Sequence, residues 1–130
     1  MTTVVFSQTI GIITCKWFLK IRWNVFWFAG RQIGDTILYT GCRNKAVDYI
    51  YQEELEEYQN AGALSHLHLA FSRDQQEKVY VQNLLEKNGE ETWKAIDAGG
   101  HLYVCGWVWR HMASNVLGDC RQNSQNIENW

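Results

Sequence analysis

Hydrophobic positions change period several times along the 130 residues, and each change predicts an element. Thr3 to Phe6 reads as a short buried strand. Cys15 to Phe28 is apolar nearly all round and long enough for a helix covered on several sides. Gly30 to Asp35 is turn-like, and Thr36 to Thr40 then predicts a buried strand ending at Gly41-Cys-Arg43. After a loop over 44–46, Val47, Ile50, Tyr51, Leu55 and Tyr58 recur at helical spacing with acidic residues between them, until Asn60-Ala-Gly62 stops the helix. Leu64 to Phe71 alternates as a strand does, and Val79 to Lys87 returns to helical spacing. Asn88 and Glu91 have the spacing of a capping box, which predicts a second helix with Trp93 and Ile96 inward, running to Gly99-Gly100. Leu102 to Cys105 is a last buried strand closed by Gly106. Met112, Val116 and Leu117 suggest one more helix before a polar tail from Arg121 to Asn129, expected to be disordered.

Strands alternating with helices predict an α/β fold, a parallel sheet with helices on both faces. Ligands of such sheets sit beyond the carboxyl ends of the strands. Cys42-Arg43, Ser72-Arg73 and Cys105-Gly106 all fall there, so three strand ends share one rim. The stretch from Leu69 to Gln82 carries the most chemistry. It runs from an apolar strand into a polar turn with the hydroxyl of Ser72, the guanidinium of Arg73, the ammonium of Lys78 and the phenol of Tyr80, groups suited to holding a phosphate. A solvated charged loop is the alternative.

Composition narrows the possibilities. With 46% hydrophobic and 14% aromatic residues a single domain can bury a core, and no internal repeat or interdomain linker divides it. A formal net charge of -2 gives no general attraction to nucleic acid or anionic membrane, so an anion site must be local. Cys15, Cys42, Cys105 and Cys120 form no CxxC pair and no zinc-type spacing, which reads as a reduced, intracellular chain. No signal peptide is visible. Val4 to Ala29 is very apolar, yet Lys16, Lys20 and Arg22 interrupt it, so core packing is expected and membrane contact is the lesser alternative. His66 and His68 share one strand face and suggest a metal, but two ligands do not make a site, and packing is the expectation.

From Gly34 to Gly106 the chain resembles the NADP(H)-binding domain of the diflavin reductases, closest to the branch that reduces cytochrome P450. The resemblance rests on Gly41-Cys-Arg43, Asp48-Tyr-Ile-Tyr51 followed by Glu53-Glu-Leu55, Gly62-Ala-Leu64, Ala70-Phe-Ser-Arg73, Lys78-Val-Tyr-Val-Gln82 and Tyr103-Val-Cys-Gly106, in order and at matching spacing over somewhat more than half of the chain. It implies a ferredoxin-NADP reductase-like nucleotide-binding domain over residues 1–130, well matched over 34–106 and divergent at 1–33 and 107–130. By this resemblance Ser72, Arg73, Lys78, Tyr80 and Gln82 would hold the 2'-phosphate end of NADPH, and Arg43 would lie near the cofactor's phosphates. Cys105 would face the nicotinamide, near the hydride path to FAD.

The resemblance weakens at both ends. The family opens with a glycine-rich turn where this chain reads Phe6-Ser-Gln-Thr-Ile-Gly11, so Thr9 and Gly11 are kept, Thr9 as a further cofactor contact, while bulky residues stand where glycines let a backbone approach phosphate. After Gly106 the chain reads Trp107-Val-Trp109 where the family has an aspartate and a small residue. FAD and FMN would come only with flavin-binding domains that the sequence does not contain, and without a flavin to accept hydride the chain alone is expected to be inactive as a reductase. The implied setting is the cytoplasm, or the cytoplasmic face of the endoplasmic reticulum within a full reductase. The alternative from another class is a non-catalytic remnant of the domain that associates through Trp23, Trp27, Trp107 and Trp109.

Overall fold

A computed structural model describes residues 3–8, 20–21, 24, 29–30 and 34–105, with the backbone path alone for 3–8 and 105. Four strands form one sheet: β1 (Thr3–Gln8), β2 (Thr36–Cys42), β3 (His66–Phe71) and β4 (His101–Cys105). Their order is β3-β2-β1-β4 and every pairing is parallel. Between β2 and β3 run α1 (Lys45–Asp48) and α2 (Gln52–Asn60); between β3 and β4 run α3 (Val81–Lys87) and α4 (Gly89–Asp97).

The strand order accounts for which face each helix covers. Parallel crossovers are right-handed, so connections stepping in opposite directions across a sheet lie on opposite faces. The chain steps outward from β2 to β3 and then returns past β2 and β1 to β4. Accordingly Leu38 packs with Leu55, Tyr58, Ala63 and Leu64 on the α2 side, whereas its neighbours Ile37 and Tyr39 pack with Val81, Leu85 and Ala95 on the α3 and α4 side. Thr36 to Thr40 is buried throughout, as expected for a strand covered on both faces.

Tyr39, with no exposed surface, ties the second face together. Its hydroxyl shares a hydrogen bond of 3.0 Å with Thr92 Oγ1 on α4, and its ring stacks on His68 at 4.5 Å. The stop at Gly99-Gly100 is a Schellman motif: Gly99 has φ +85°, its N–H donates to the Ile96 carbonyl, and the Gly100 N–H donates to that of Ala95.

Three expectations are corrected. The single helix expected through Val47, Ile50, Tyr51, Leu55 and Tyr58 is broken at Tyr49 and Tyr51, whose backbones leave the helical region. Tyr49 turns inward and meets the Phe71 ring edge-on at 5.8 Å. Leu55 and Tyr58 are buried, but Val47 and Ile50 are exposed. The segment expected as loop over 44–46 contributes instead to α1, where Asp48 Oδ2 accepts from the Asn44 N–H. The capping box at Asn88 does not form either. The Asn88 amide turns back and donates to the Leu84 carbonyl at 2.8 Å, closing α3 rather than opening α4.

Strand boundaries move slightly. β1 and β2 extend two residues beyond their expected ends, and β3 begins at His66, leaving Leu64 buried just ahead of it. Lys20, Ile21, Asn24 and Ala29 are helical, and the rest of the helix expected over Cys15 to Phe28 lies outside the described residues. The expected helix at Met112, Val116 and Leu117, the tail from Arg121, and Trp23, Trp27, Trp107 and Trp109 lie outside the described residues. Among the described residues no helix is long and apolar enough to cross a membrane.

Candidate functional site

The site begins with the β2-β3 ladder, which does not stop at the strand ends. Gly41 pairs with Ala70 and Cys42 with Phe71. Beyond them the Ser72 N–H donates to the Cys42 carbonyl at 3.0 Å and the Arg73 N–H to the Arg43 carbonyl at 2.9 Å. Two loops are thereby fastened side by side at the carboxyl edge. The Tyr80 N–H donates to Asn83 Oδ1 at 2.9 Å, which fixes the entry to α3 beside them.

These pieces enclose an open cleft of about 180 Å³, lined by Gly41, Cys42, Arg43, Ala70, Ser72, Val79, Tyr80 and Val81. Gly41 makes the close approach possible. A Cβ there would stand 3.0 Å from Val81 Cγ2 and 3.3 Å from the Ala70 carbonyl oxygen. Gly41→Ala is therefore expected to push α3 outward and to destabilise the protein by about 1–3 kcal/mol in urea unfolding. Combining it with Val81→Ala should recover part of that loss; a neutral single variant would contradict this packing.

Of the residues expected from sequence, Arg43, Ser72 and Tyr80 line the cleft. Arg73 and Lys78 sit on the exposed loop that adjoins it but not in its wall, and Gln82 is half-buried in the first turn of α3, also outside the wall. Cys105 ends β4, two strands away from β2, so the two ends of the expected site are separated by β1. Thr9 lies outside the described residues. Sequence reasoning did not single out Val79 and Val81 as wall residues, although both stand beside Tyr80 at the strand-to-helix turn where such walls form.

Charges of both signs flank the cleft. Among the described residues no carboxylate lies within ion-pair distance of Arg43, Arg73 or Lys78. Of the two acidic residues of that loop, Glu77 is exposed and Asp74 is turned to α1, where its Oδ2 accepts from the Lys45 N–H at 3.0 Å. Three cations are left facing solvent around one cleft.

Cys42 also lines it, but not as a nucleophile. Burial, and then the carboxylates of Asp48 and Asp74, push its thiol above the ordinary value of 9.0, so it is protonated at neutral pH. Iodoacetamide labelling of the Cys42 peptide, followed by mass spectrometry, should be slow at neutral pH and still be rising above pH 9.0. A rate that levels off near neutrality would contradict this environment. A ligand filling the cleft should slow the labelling further.

A family model described as "Oxidoreductase NAD-binding domain" matches residues 21–117. Human NADPH-cytochrome P450 reductase is 51% identical over 87 residues, which is 67% of this chain and 13% of that protein. The Salmo trutta protein of the same name is 51% identical over 89 residues, 68% of this chain and 15% of that protein. The Bos taurus protein is 52% identical over 88 residues, 67% and 13% respectively. The chain thus spans only a small part, 13–15%, of the length of these relatives. The parallel sheet with helices on both faces is the ferredoxin-NADP reductase-like arrangement that the resemblance implied. The chain belongs to the oxidoreductase NAD-binding domain family.

Proposed function

We propose that residues 1–130 form one NADP(H)-binding module of a P450-reductase-like flavoprotein and that the cleft at the β2 and β3 ends takes the 2'-phosphate end of NADPH. The observation that carries this reading is the convergence of Arg43, Ser72 and Tyr80 on one cleft, with Arg73 and Lys78 free of carboxylate partners among the described residues on its adjoining loop. NADPH supplies a hydride, and in this reading the flavin-binding domains of the parent enzyme are the partners that receive it.

The residues divide the binding task. Arg43, Arg73 and Lys78 neutralise phosphate charge, and Ser72 donates its hydroxyl to a phosphate oxygen. Tyr80, 47% exposed, offers a ring face to the adenine and a phenol to the phosphate. Gln82 supports that end from α3. Thr9 follows β1 and would contact the pyrophosphate, and Cys105 at the end of β4 would face the nicotinamide. In the order β3-β2-β1-β4 the strand sequence reverses between β1 and β4, and in this reading the crevice beyond that point, the usual one for a dinucleotide, takes the rest of the cofactor. Within a full reductase the module would sit in the cytoplasm or on the cytoplasmic face of the endoplasmic reticulum.

The test is an amide NMR titration with 2',5'-ADP. The expected shifts centre on Gly41, Ser72 and Tyr80; shifts confined to other parts of the sheet, or none, would refute this placement. A second reading, a non-catalytic remnant, is favoured by the sequence Phe6-Ser-Gln-Thr-Ile-Gly11, which has bulky residues where the resembled family has glycines that let a backbone approach phosphate. It predicts that NADP+ binds no more tightly than 2',5'-ADP, because the pyrophosphate then adds nothing.

A further inference from the structure

The loop that carries Arg73 and Lys78 also places the carboxylate of Asp74 beside a cleft assigned to an anion, and the binding chemistry above gives it no task. Its charge reaches the cleft: burial, then Asp48 and Asp74, push up the Cys42 thiol in the wall. A carboxylate so placed repels a phosphate. We propose that Asp74 is a positioning residue for nucleotide binding: by accepting the Lys45 N–H it ties the Arg73 loop to the Arg43 loop and fixes the spacing of the two arginine backbones. This role rests on the proposed function and deepens it.

Three bonds in succession join the two loops. The Ser72 N–H donates to the Cys42 carbonyl at 3.0 Å, the Arg73 N–H to the Arg43 carbonyl at 2.9 Å, and one step further the Lys45 N–H to Asp74 Oδ2 at 3.0 Å. The first two continue the β2-β3 ladder, and in the third a side chain takes the place of a backbone carbonyl. Each arginine is thereby flanked by ties: Arg73 stands between Ser72 and Asp74, and Arg43 between Cys42 and Lys45. Both sides of the last tie are themselves anchored. Asn44 donates its N–H to Asp48 Oδ2 at 3.2 Å, and Gln75 Nε2 donates to the Phe71 carbonyl at 2.7 Å, closing the turn around Asp74.

The bond also answers a need of α1. Asn44 places no side-chain cap on that helix, and the Lys45 N–H, which has no carbonyl to meet within a first turn, is met from the other loop. Two opposing effects on the ligand follow. Holding both backbones in place before the nucleotide arrives lowers the ordering cost of binding. One more carboxylate opposes the phosphate, but at an exposed position where solvent and salt screen it. The first effect outweighs the second, so removing Asp74 weakens binding although it removes a repulsive charge.

The experiment is calorimetric titration of the full chain and its variants with 2',5'-ADP and 5'-AMP. Asp74→Ala should weaken 2',5'-ADP binding about fivefold and leave 5'-AMP unchanged. Asp74→Asn keeps an oxygen to accept the Lys45 N–H and loses the charge, and should bind 2',5'-ADP at least as tightly as the parent. Lys45→Pro removes the donor instead. Proline suits the first position of a helix, and the extended backbone of Asn44, φ -131° and ψ 134°, suits the residue before it. This variant should bind 2',5'-ADP about fivefold more weakly than Lys45→Ala, which loses the same charge but keeps the N–H. In an Asp74→Ala background the two Lys45 variants should bind alike. Unchanged or tighter binding by Asp74→Ala, an equal loss in Asp74→Asn, or a loss shared by 5'-AMP would overturn the positioning role while the parent's preference for 2',5'-ADP stands. A parent without that preference would overturn the proposed function, and this role with it.

Discussion

Replacing Arg73 and Lys78 together by alanine is expected to weaken binding of 2',5'-ADP by about a hundredfold or more and to leave 5'-AMP binding unchanged. Hydrogen bonds to charged groups contribute roughly 1.5–3 kcal/mol each, so the loss of two amounts to about 3 kcal/mol at the low end, where a tenfold change in affinity is about 1.4 kcal/mol. The low end is the appropriate one because both side chains are exposed and screened. For the same reason the parent's preference should shrink as salt is raised. Arg73→Lys separates charge from shape: it keeps the charge but loses the two-pronged geometry of the guanidinium, and should fall between the parent and the alanine variant. Equal loss for both nucleotides would mean that these side chains act on fold or general charge rather than on the 2'-phosphate.

Tyr39→Ala should be among the most damaging single substitutions in the sheet, costing about 3–5 kcal/mol in urea unfolding. Tyr39 has no exposed surface and lies in the core between β2 and the α3 and α4 helices. Its removal leaves a cavity, frees Thr92 Oγ1 from its hydrogen bond and unstacks His68. A domain's whole stability is typically about 5–15 kcal/mol, so the variant should be near the limit of folding. Tyr39→Phe isolates the hydroxyl and should cost only about 1–2 kcal/mol, because the Thr92 hydroxyl then stays buried without Tyr39. A Tyr39→Ala loss below about 1 kcal/mol would contradict the packing.

The parallel sheet was legible in the sequence because buried parallel strands read as short apolar runs. Thr36-Ile-Leu-Tyr-Thr40 is such a run, and it is buried throughout. The strand ends were legible for the same reason, which is how Arg43 and Ser72 could be expected on one rim, and Ser72 and Tyr80 in one cluster with Arg73 and Lys78, before the cleft was seen. Local patterns were less informative where two elements compete for one residue. Asn88 has the sequence of a helix start, but it sits where α3 ends and α4 begins, and its amide satisfies the end of α3. Val47 and Ile50 keep helical spacing with Leu55, yet the helix stops at Tyr49, whose ring meets Phe71 edge-on. Glu91 was assigned to a cap, and only the tertiary fold reveals that it lies within ion-pair distance of His66 and His68. No sequence periodicity reports such a tertiary meeting.

The cleft's apolar wall was hidden likewise. Gly41 carries no side chain to announce a role, and its importance lies in the 3.0 Å that a Cβ would have to Val81. Arg73 and Lys78 were expected in the same cluster as Ser72 and Tyr80; they adjoin the cleft without lining it. Long flexible cations can close over a ligand from such a position, and binding experiments on them report directly on that step.

The most direct measurement is calorimetric titration of the purified chain with 2',5'-ADP and, in parallel, with 5'-AMP. The account predicts saturable binding of 2',5'-ADP with a large advantage over 5'-AMP, an advantage that Arg73→Ala diminishes. Binding of neither nucleotide, or equal binding of both, would contradict the assignment of the β2 and β3 cleft to the 2'-phosphate end of NADPH.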